Sequence, residues 1–198
     1  MFAAMDETVQ EGPTGIYYVV AVAVTIADRV TAKKAALGVI GAPGRTRPFH
    51  WRTEGVKARN KMMGCLADVG AIAHVAIHFP TDRHKYAQAR ADDLEVIIPE
   101  LVREGVSDLI IETRETAEDN RDRVVILNKL EEMKRSGAFA YDWLPKSEPT
   151  LWLADGVCGA VYGMLKGQTT YYEQLRRSGV IDQLIYLPQE MRQSRLPS

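Results

Sequence analysis

Cysteine is almost absent: the 198 residues hold two, Cys65 and Cys158. Neither has a partner at metal-ligand spacing, which argues against a zinc site or a disulfide framework and leaves both as small buried hydrophobes. A reducing, cytoplasmic setting is the expectation. A basic surplus is lacking too, the formal net charge being -1. Gripping nucleic acid by bulk electrostatics normally takes a basic excess, so any such contact is expected to be local, through a basic patch or bound metal ions. No apolar run is long enough for a membrane helix. The longest, Ile16 to Ala27, is broken only by Thr25 and suits a buried strand. The opening Met1-Phe2-Ala3-Ala4-Met5-Asp6-Glu7 has neither a basic stretch nor a long apolar core, so no signal peptide is expected. Gly38-Val39-Ile40-Gly41-Ala42-Pro43-Gly44 lacks the Lys-Ser/Thr of a phosphate loop, and no serine nucleophile elbow is present. No repeat, low-complexity tract or long linker divides the chain. A single domain over residues 1–188 with a polar tail over 189–198 is the reading.

What is present is an alternation of short apolar strands with longer helical segments. Phe2 to Asp6 reads as a short strand and Ile16 to Thr25, rich in Val and Tyr, as a buried one, with the Gly12-Pro13-Thr14-Gly15 turn between them. Helices are predicted over Asp28–Ile40, Glu54–Val69, Arg83–Glu104, Ala117–Arg135 and Thr150–Lys166. Further strands are predicted over Ala71–Phe79, Asp108–Arg114 and Ala138–Leu144, with a short helix and a possible strand at Gln183–Leu187 near the end. Neighbouring early strands favour antiparallel pairing, and later strands separated by helices favour parallel crossovers. The expected fold is α/β: a mixed five-stranded sheet with helices on both faces.

Three acidic features occupy unusual positions. Asp6-Glu7 closes the first strand, Glu112 closes the apolar strand Leu109-Ile110-Ile111, and Asp155 lies inside a helix that is apolar almost all round. A carboxylate in a buried helix is costly unless it is paired, hydrogen-bonded or metal-bound. For Asp155 alone, a metal-facing role and an ion pair with a core arginine such as Arg114 are evenly balanced. Gly156, Gly159, Ala160 and Gly163 would let that helix approach the sheet closely. Ligands of open α/β sheets sit beyond the carboxyl ends of the strands. If the first and fourth strands are central neighbours, Asp6 and Glu112 end there together, and the helix need only carry Asp155 across. Clustered carboxylates repel, and a hard divalent cation is the usual resolution, one able to activate water against a phosphodiester.

In this order the motifs resemble the domain-of-unknown-function 3800 family. Met5-Asp6-Glu7-Thr8 is similar to that family's opening Asp-Glu-Ser motif, with Thr8 in place of Ser. Phe49-His50-Trp51-Arg52-Thr53-Glu54 resembles its His motif, Ile110-Ile111-Glu112 its acidic strand with Glu in place of Asp, and Leu153-Ala154-Asp155-Gly156-Val157 its Ala-Asp helix motif. The resemblance spans residue 2 to about residue 165. It implies a ribonuclease H-like fold and metal-dependent nuclease activity. Asp6, Glu112 and Asp155 would hold Mg²⁺ or Mn²⁺, with Glu7 and His50 in support.

His50 sits in a loop of arginines and aromatics, where it would protonate a leaving oxygen or hold phosphate. Arg45, Arg47 and Arg52, together with Arg114, are the candidate nucleic-acid contacts, while Trp51 reads as a loop anchor rather than a base-stacking platform. His74 and His78 share a strand face without a third ligand, and with His84 they are read as structural or solvent-facing. Asp92-Asp93 and the charged run Glu118 to Arg123 read as solvated helix starts, although Asn120 and Arg121 lie one turn beyond Glu112, within possible reach of a phosphate. The alternative to a nuclease is a non-catalytic module of the same fold, binding nucleic acid or a protein. A small-molecule enzyme ranks last, resting on fold analogy alone. DNA against RNA, and the oligomeric state, are not encoded in any motif.

Overall fold

A computed structural model describes residues 1–12, 15–40, 47–78, 85–135 and 137–187. Arg45, His84, the centre of the first turn and the tail over 189–198 lie outside the described residues. The strands are β1 (Phe2–Gly12), β2 (Gly15–Thr25), β3 (Ala71–His78), β4 (Asp108–Glu112), β5 (Ala140–Leu144) and β6 (Ile181–Leu187). The helices are α1 (Arg29–Ile40), α2 (Val56–Asp68), α3 (Tyr86–Arg103), α4 (Thr116–Glu132), α5 (Leu151–Leu165) and α6 (Thr170–Arg177), with a short 3-10 turn at Trp51–Thr53.

The sheet has six strands in the order β5-β4-β1-β2-β3-β6, not the expected five. β1, β2 and β3 form an antiparallel meander, while β4 pairs parallel to β1 and β5 parallel to β4. The sixth strand comes from the C-terminal segment. Ile181–Leu187 follows α6 and adds parallel to the outer edge of β3. Its β-branched and aromatic residues were visible in the sequence, but its pairing partner lies a hundred residues upstream and left no local trace.

β1 is also longer than expected. Beyond Asp6 its residues become polar, which reads as a strand end, yet β1 stays paired with β2 all the way to Gly12↔Gly15. The pairing with β4 stops at Met5↔Ile111. Asp6 is therefore mid-strand in the hairpin, but it marks the point where β1 outruns its parallel neighbour.

Side-chain alternation sorts the core into two layers. Ala4, Val19, Ala21, Ala23, Ala73, Val75 and Ile110 face α1, α2, α5 and α6. Ala3, Met5, Val20, Val22, Leu109 and Ile111 face α3 and α4. α5 contributes Leu151, Trp152, Leu153, Ala154, Val157, Cys158, Ala160 and Val161 to the first layer. Burying a side chain such as Leu153 is worth about 1.5–3 kcal/mol, so this helix is held by packing rather than by its caps. α1 starts where expected. Asp28 accepts the Thr31 N–H at 3.0 Å and its hydroxyl at 2.8 Å, an N-cap arrangement that occupies an orphan donor of the first turn. Among the described residues no helix is long and apolar enough to cross a membrane.

Candidate active site

The parallel register carries β1 and β4 one step past Met5↔Ile111, to Asp6 on one strand and Glu112 on the other. Both are even-numbered positions on the face that meets α5, the face of Ala4 and Ile110. Asp6 is only 6% exposed. α5 crosses the same end of the sheet, but its glycines serve another contact than the one expected. Gly156 and Gly159 face α2 and the Trp51 loop rather than the strands, and two missing methyl groups set how closely those neighbours lie. A Cβ on Gly156 would fall 2.6 Å from Met62 Cγ, and one on Gly159 would fall 2.0 Å from Trp51 Cγ. Cys158 rests beside the strand with its thiol 3.4 Å from the Asp6 carbonyl oxygen.

Asp155, 8% exposed, has a fixed orientation. Its Oδ2 accepts the backbone N–H of Trp51 at 2.9 Å, and His50 Nδ1 stands 3.5 Å from the same oxygen. The ion pair with Arg114 that was open from sequence is not formed. Arg114 instead meets Glu7 and Asp122 on the other side of the sheet. Trp51 is a loop anchor, as expected. Its ring packs edge-on against Tyr171 at 4.9 Å and lies under the Arg59 guanidinium at 5.0 Å, while Arg59 also donates to the Trp51 carbonyl at 2.9 and 3.1 Å. The loop bearing His50 is thus tied to α5 through Asp155 and to α2 through Arg59.

A cleft of about 330 Å³ opens above these residues, bordered by Asp6, Thr8, His50, Arg52, Lys146 and Asp155. Arg52 reaches along its rim. The guanidinium donates to Thr8 Oγ1 and to the Val9 carbonyl, both at 3.1 Å, and lies 5.2 Å from the centre of the Tyr162 ring. Lys166 approaches that ring at 4.9 Å. Arg47 lies further out, 3.4 Å from the Thr53 hydroxyl and 3.5 Å from Glu54.

Lys146 is the group that sequence reading missed. Its ammonium lies 3.4 Å from both Glu112 oxygens. Burial works against its charge, but Asp6, Glu112 and Asp155 outweigh that and raise its pKa. The Asp6 carboxyl is pushed well above the usual carboxylate range, first by burial and then by Asp155 and Glu112, against the pull of Lys146 and Arg90. Cys158, on the cleft floor, is pushed well up by burial and by Asp6 and Asp155, so it is no nucleophile. The only sequence hint at Lys146 was its place after Pro145, at the same sheet end as Asp6 and Glu112.

Glu7 and Arg114 do not share this face. Glu7 borders the cleft, yet its carboxylate is spent on Arg90, on Arg114 at 3.2 Å and on the Tyr18 hydroxyl. Arg90 and Arg114 also both meet Asp122, at 2.8 and 3.1 Å. The charged helix starts are therefore not simply solvated. Asp93 and Asp122 are buried, as is Arg90. His74 and His78 are buried structural residues on the α3 side, with His74 Nε2 lying 2.9 Å from Glu104.

Among the described residues no three His, Cys, Asp or Glu side chains stand in an arrangement that could hold a metal ion. The oxygen-rich donor set suits a hard cation, but Asp155 is engaged by the Trp51 amide and Glu112 by Lys146.

No family model matches the chain, and no curated protein matches it in sequence. One chain in a solved structure of the PCNA:RNase HII complex from Archaeoglobus fulgidus is similar to it, with 12% identity and a TM-score of 0.47, over 90% of this chain and 77% of that one. A likeness of that degree carries no argument about activity.

Proposed function

We propose that the chain is a ribonuclease H-like nuclease of the domain-of-unknown-function 3800 type, hydrolysing phosphodiester bonds of nucleic acid with a divalent cation, Mg²⁺ or Mn²⁺. The observation that carries this reading is the gathering of Glu112 and Asp155 near Asp6, where β1 outruns β4 under α5, with Asp6 and Asp155 bordering a cleft that Arg52 and His50 also border. An antiparallel meander followed by parallel strands, with helices on both faces, supports the same fold family, β6 being an added edge.

In this reading Asp6, Glu112 and Asp155 would hold the cation. When bound, it would supply Lewis-acid activation of water and stabilisation of the leaving oxygen. The chain's own groups do the rest. Arg52, braced by Thr8 and Val9, holds a backbone phosphate at the rim. His50 reaches the cleft beside Asp155 and delivers a proton to the leaving oxygen. The Trp51 amide fixes the Asp155 carboxylate at the cleft wall.

The non-catalytic alternative draws its support from Lys146, which already neutralises part of the acidic cluster. Incubating the full chain with labelled DNA and RNA oligonucleotides, with Mn²⁺ and with chelator, separates the two. Metal-dependent cleavage that disappears in Asp6→Asn and Asp155→Asn is the expected result. His50→Ala should slow cleavage by about 10²–10⁴-fold and leave Mn²⁺ affinity nearly unchanged. Absence of cleavage on every substrate, or cleavage undiminished in Asp6→Asn, rejects the nuclease reading.

A further inference from the structure

We infer that Lys146 is the resident counter-ion of the acidic cluster, and that a divalent cation enters only by displacing its ammonium into the cleft. The inference rests on the metal-dependent reading above. Four observations lead to it.

First, the ammonium sits symmetrically, 3.4 Å from each Glu112 oxygen, so the edge of Glu112 that could grip a cation with both oxygens faces Lys146. Second, no three acidic or imidazole groups among the described residues stand in a metal-holding arrangement, so the cluster has to rearrange before it can hold a cation. A lysine offers donors only, never a lone pair, so it cannot share a cation with these carboxylates. Third, charge is left over. One ammonium faces the carboxylates of Asp6, Glu112 and Asp155, all of which act on it electrostatically. A doubly charged ion balances that set better than a single ammonium does.

Fourth, Lys146 is built to move without its backbone moving. Its carbonyl accepts the Trp152 indole N–H at 3.0 Å, and the Pro145 carbonyl accepts the Glu148 N–H at 2.8 Å. The main chain is pinned between β5 and α5. The side chain is 40% exposed and borders the cleft, so its flexible stem has somewhere to go. Once displaced, the ammonium points to the side where Arg52 lies, adding a second cation for a phosphate. Lys146 is thus a positioning residue, which holds the cluster together without metal and turns to substrate with it.

Calorimetric titration of the intact chain with MnCl₂, without nucleic acid, tests this directly. Lys146→Met should bind Mn²⁺ at least tenfold more tightly than wild type, because no ammonium has to be displaced. Its melting temperature without metal should fall, and Mn²⁺ should raise it by more than in wild type. Lys146→Arg keeps the charge and can grip both Glu112 oxygens in a fork, so it should bind Mn²⁺ at least tenfold more weakly than wild type. The Arg variant carries the test by itself if the Met variant does not fold. Equal Mn²⁺ affinity across wild type and variants overturns the counter-ion role while leaving the metal site standing. No Mn²⁺ binding by any of the three proteins overturns both.

Discussion

Asp6 and Glu7 are consecutive residues that belong to opposite worlds. On the α5 face, Asp6 joins Glu112 and Asp155, with Lys146 as the nearby ammonium, beside an open cleft. On the α3 and α4 face, Glu7 and Asp122 are matched by Arg90 and Arg114 in a closed network. The second cluster has its charges paired, which is how a buried charge persists at tolerable cost. The first leaves negative charge in excess and exposes it to a cleft, an arrangement that costs stability and is found where chemistry is done. One strand thus carries a structural network on one side and a candidate site on the other.

Breaking the closed network should cost most. Arg90→Met leaves Glu7 and Asp122 short of a buried partner, and a loss of about 3–5 kcal/mol is expected by urea denaturation. A loss below about 1 kcal/mol would mean that the two faces do not differ as described. The next effect belongs to Asp93, fully buried one turn along from Arg90, with neither carboxylate oxygen hydrogen-bonded. Burial, then Asp92, push its pKa up to about 8 against the pull of Arg90. The folded state therefore keeps a proton that the unfolded chain releases near 3.8. Stability from this group is fully present below about pH 4 and is lost as pH rises through about 8. Asp93→Asn should remove a decline of a few kcal/mol between pH 5 and 9; an unchanged slope in the variant rules this out.

Gly159→Ala probes the join between the site and its scaffold. The new methyl would meet the Trp51 ring, and a cost of about 1–3 kcal/mol is expected, with a change in Trp fluorescence as the ring shifts. Wild-type stability and spectrum would show that the helix can simply recede. The smallest effect has the opposite sign. Asp155→Asn relieves repulsion on the open face while its amide oxygen still accepts the Trp51 N–H. The metal-free protein should melt about 2–4 °C higher, a gain of up to about 1 kcal/mol. Asp122→Asn on the closed face should instead melt lower, and if both substitutions shift melting the same way the contrast fails.

The sequence carried the acids better than their surroundings. Asp6, Glu112 and Asp155 were legible because each interrupts an apolar run, and a carboxylate in such a run must be explained. That β1 and β4 are neighbours followed from strand order, which β-α-β connections constrain. The face that Glu7 and Arg114 take was not legible, because the polar stretch after Asp6 reads as a strand end and hides the alternation that continues to Gly12. Lys146, Arg90 and Asp122 were missed for a different reason. A charged residue is matched by partners distant in sequence: Arg90 meets Asp122 from a neighbouring helix, and Lys146, in the turn after β5, meets Glu112 at the end of β4. The extra strand β6 likewise depends on an edge of β3 that no local pattern advertises.

The bare backbone at Gly159 has a mechanical consequence. Trp51 occupies the volume a side chain would claim, and the amide of the same Trp51 holds Asp155 one helical turn earlier. Helix, loop and carboxylate therefore form one linkage with almost no play. Tolerances add along it: an error of a few tenths of an ångström in how α5 seats on the sheet is passed undiminished to Asp155 and to His50. Such a linkage makes the site a gauge of its own scaffold. Substitutions beneath the helix, well outside the cleft, should register first as altered ligand affinity and only later as lost stability.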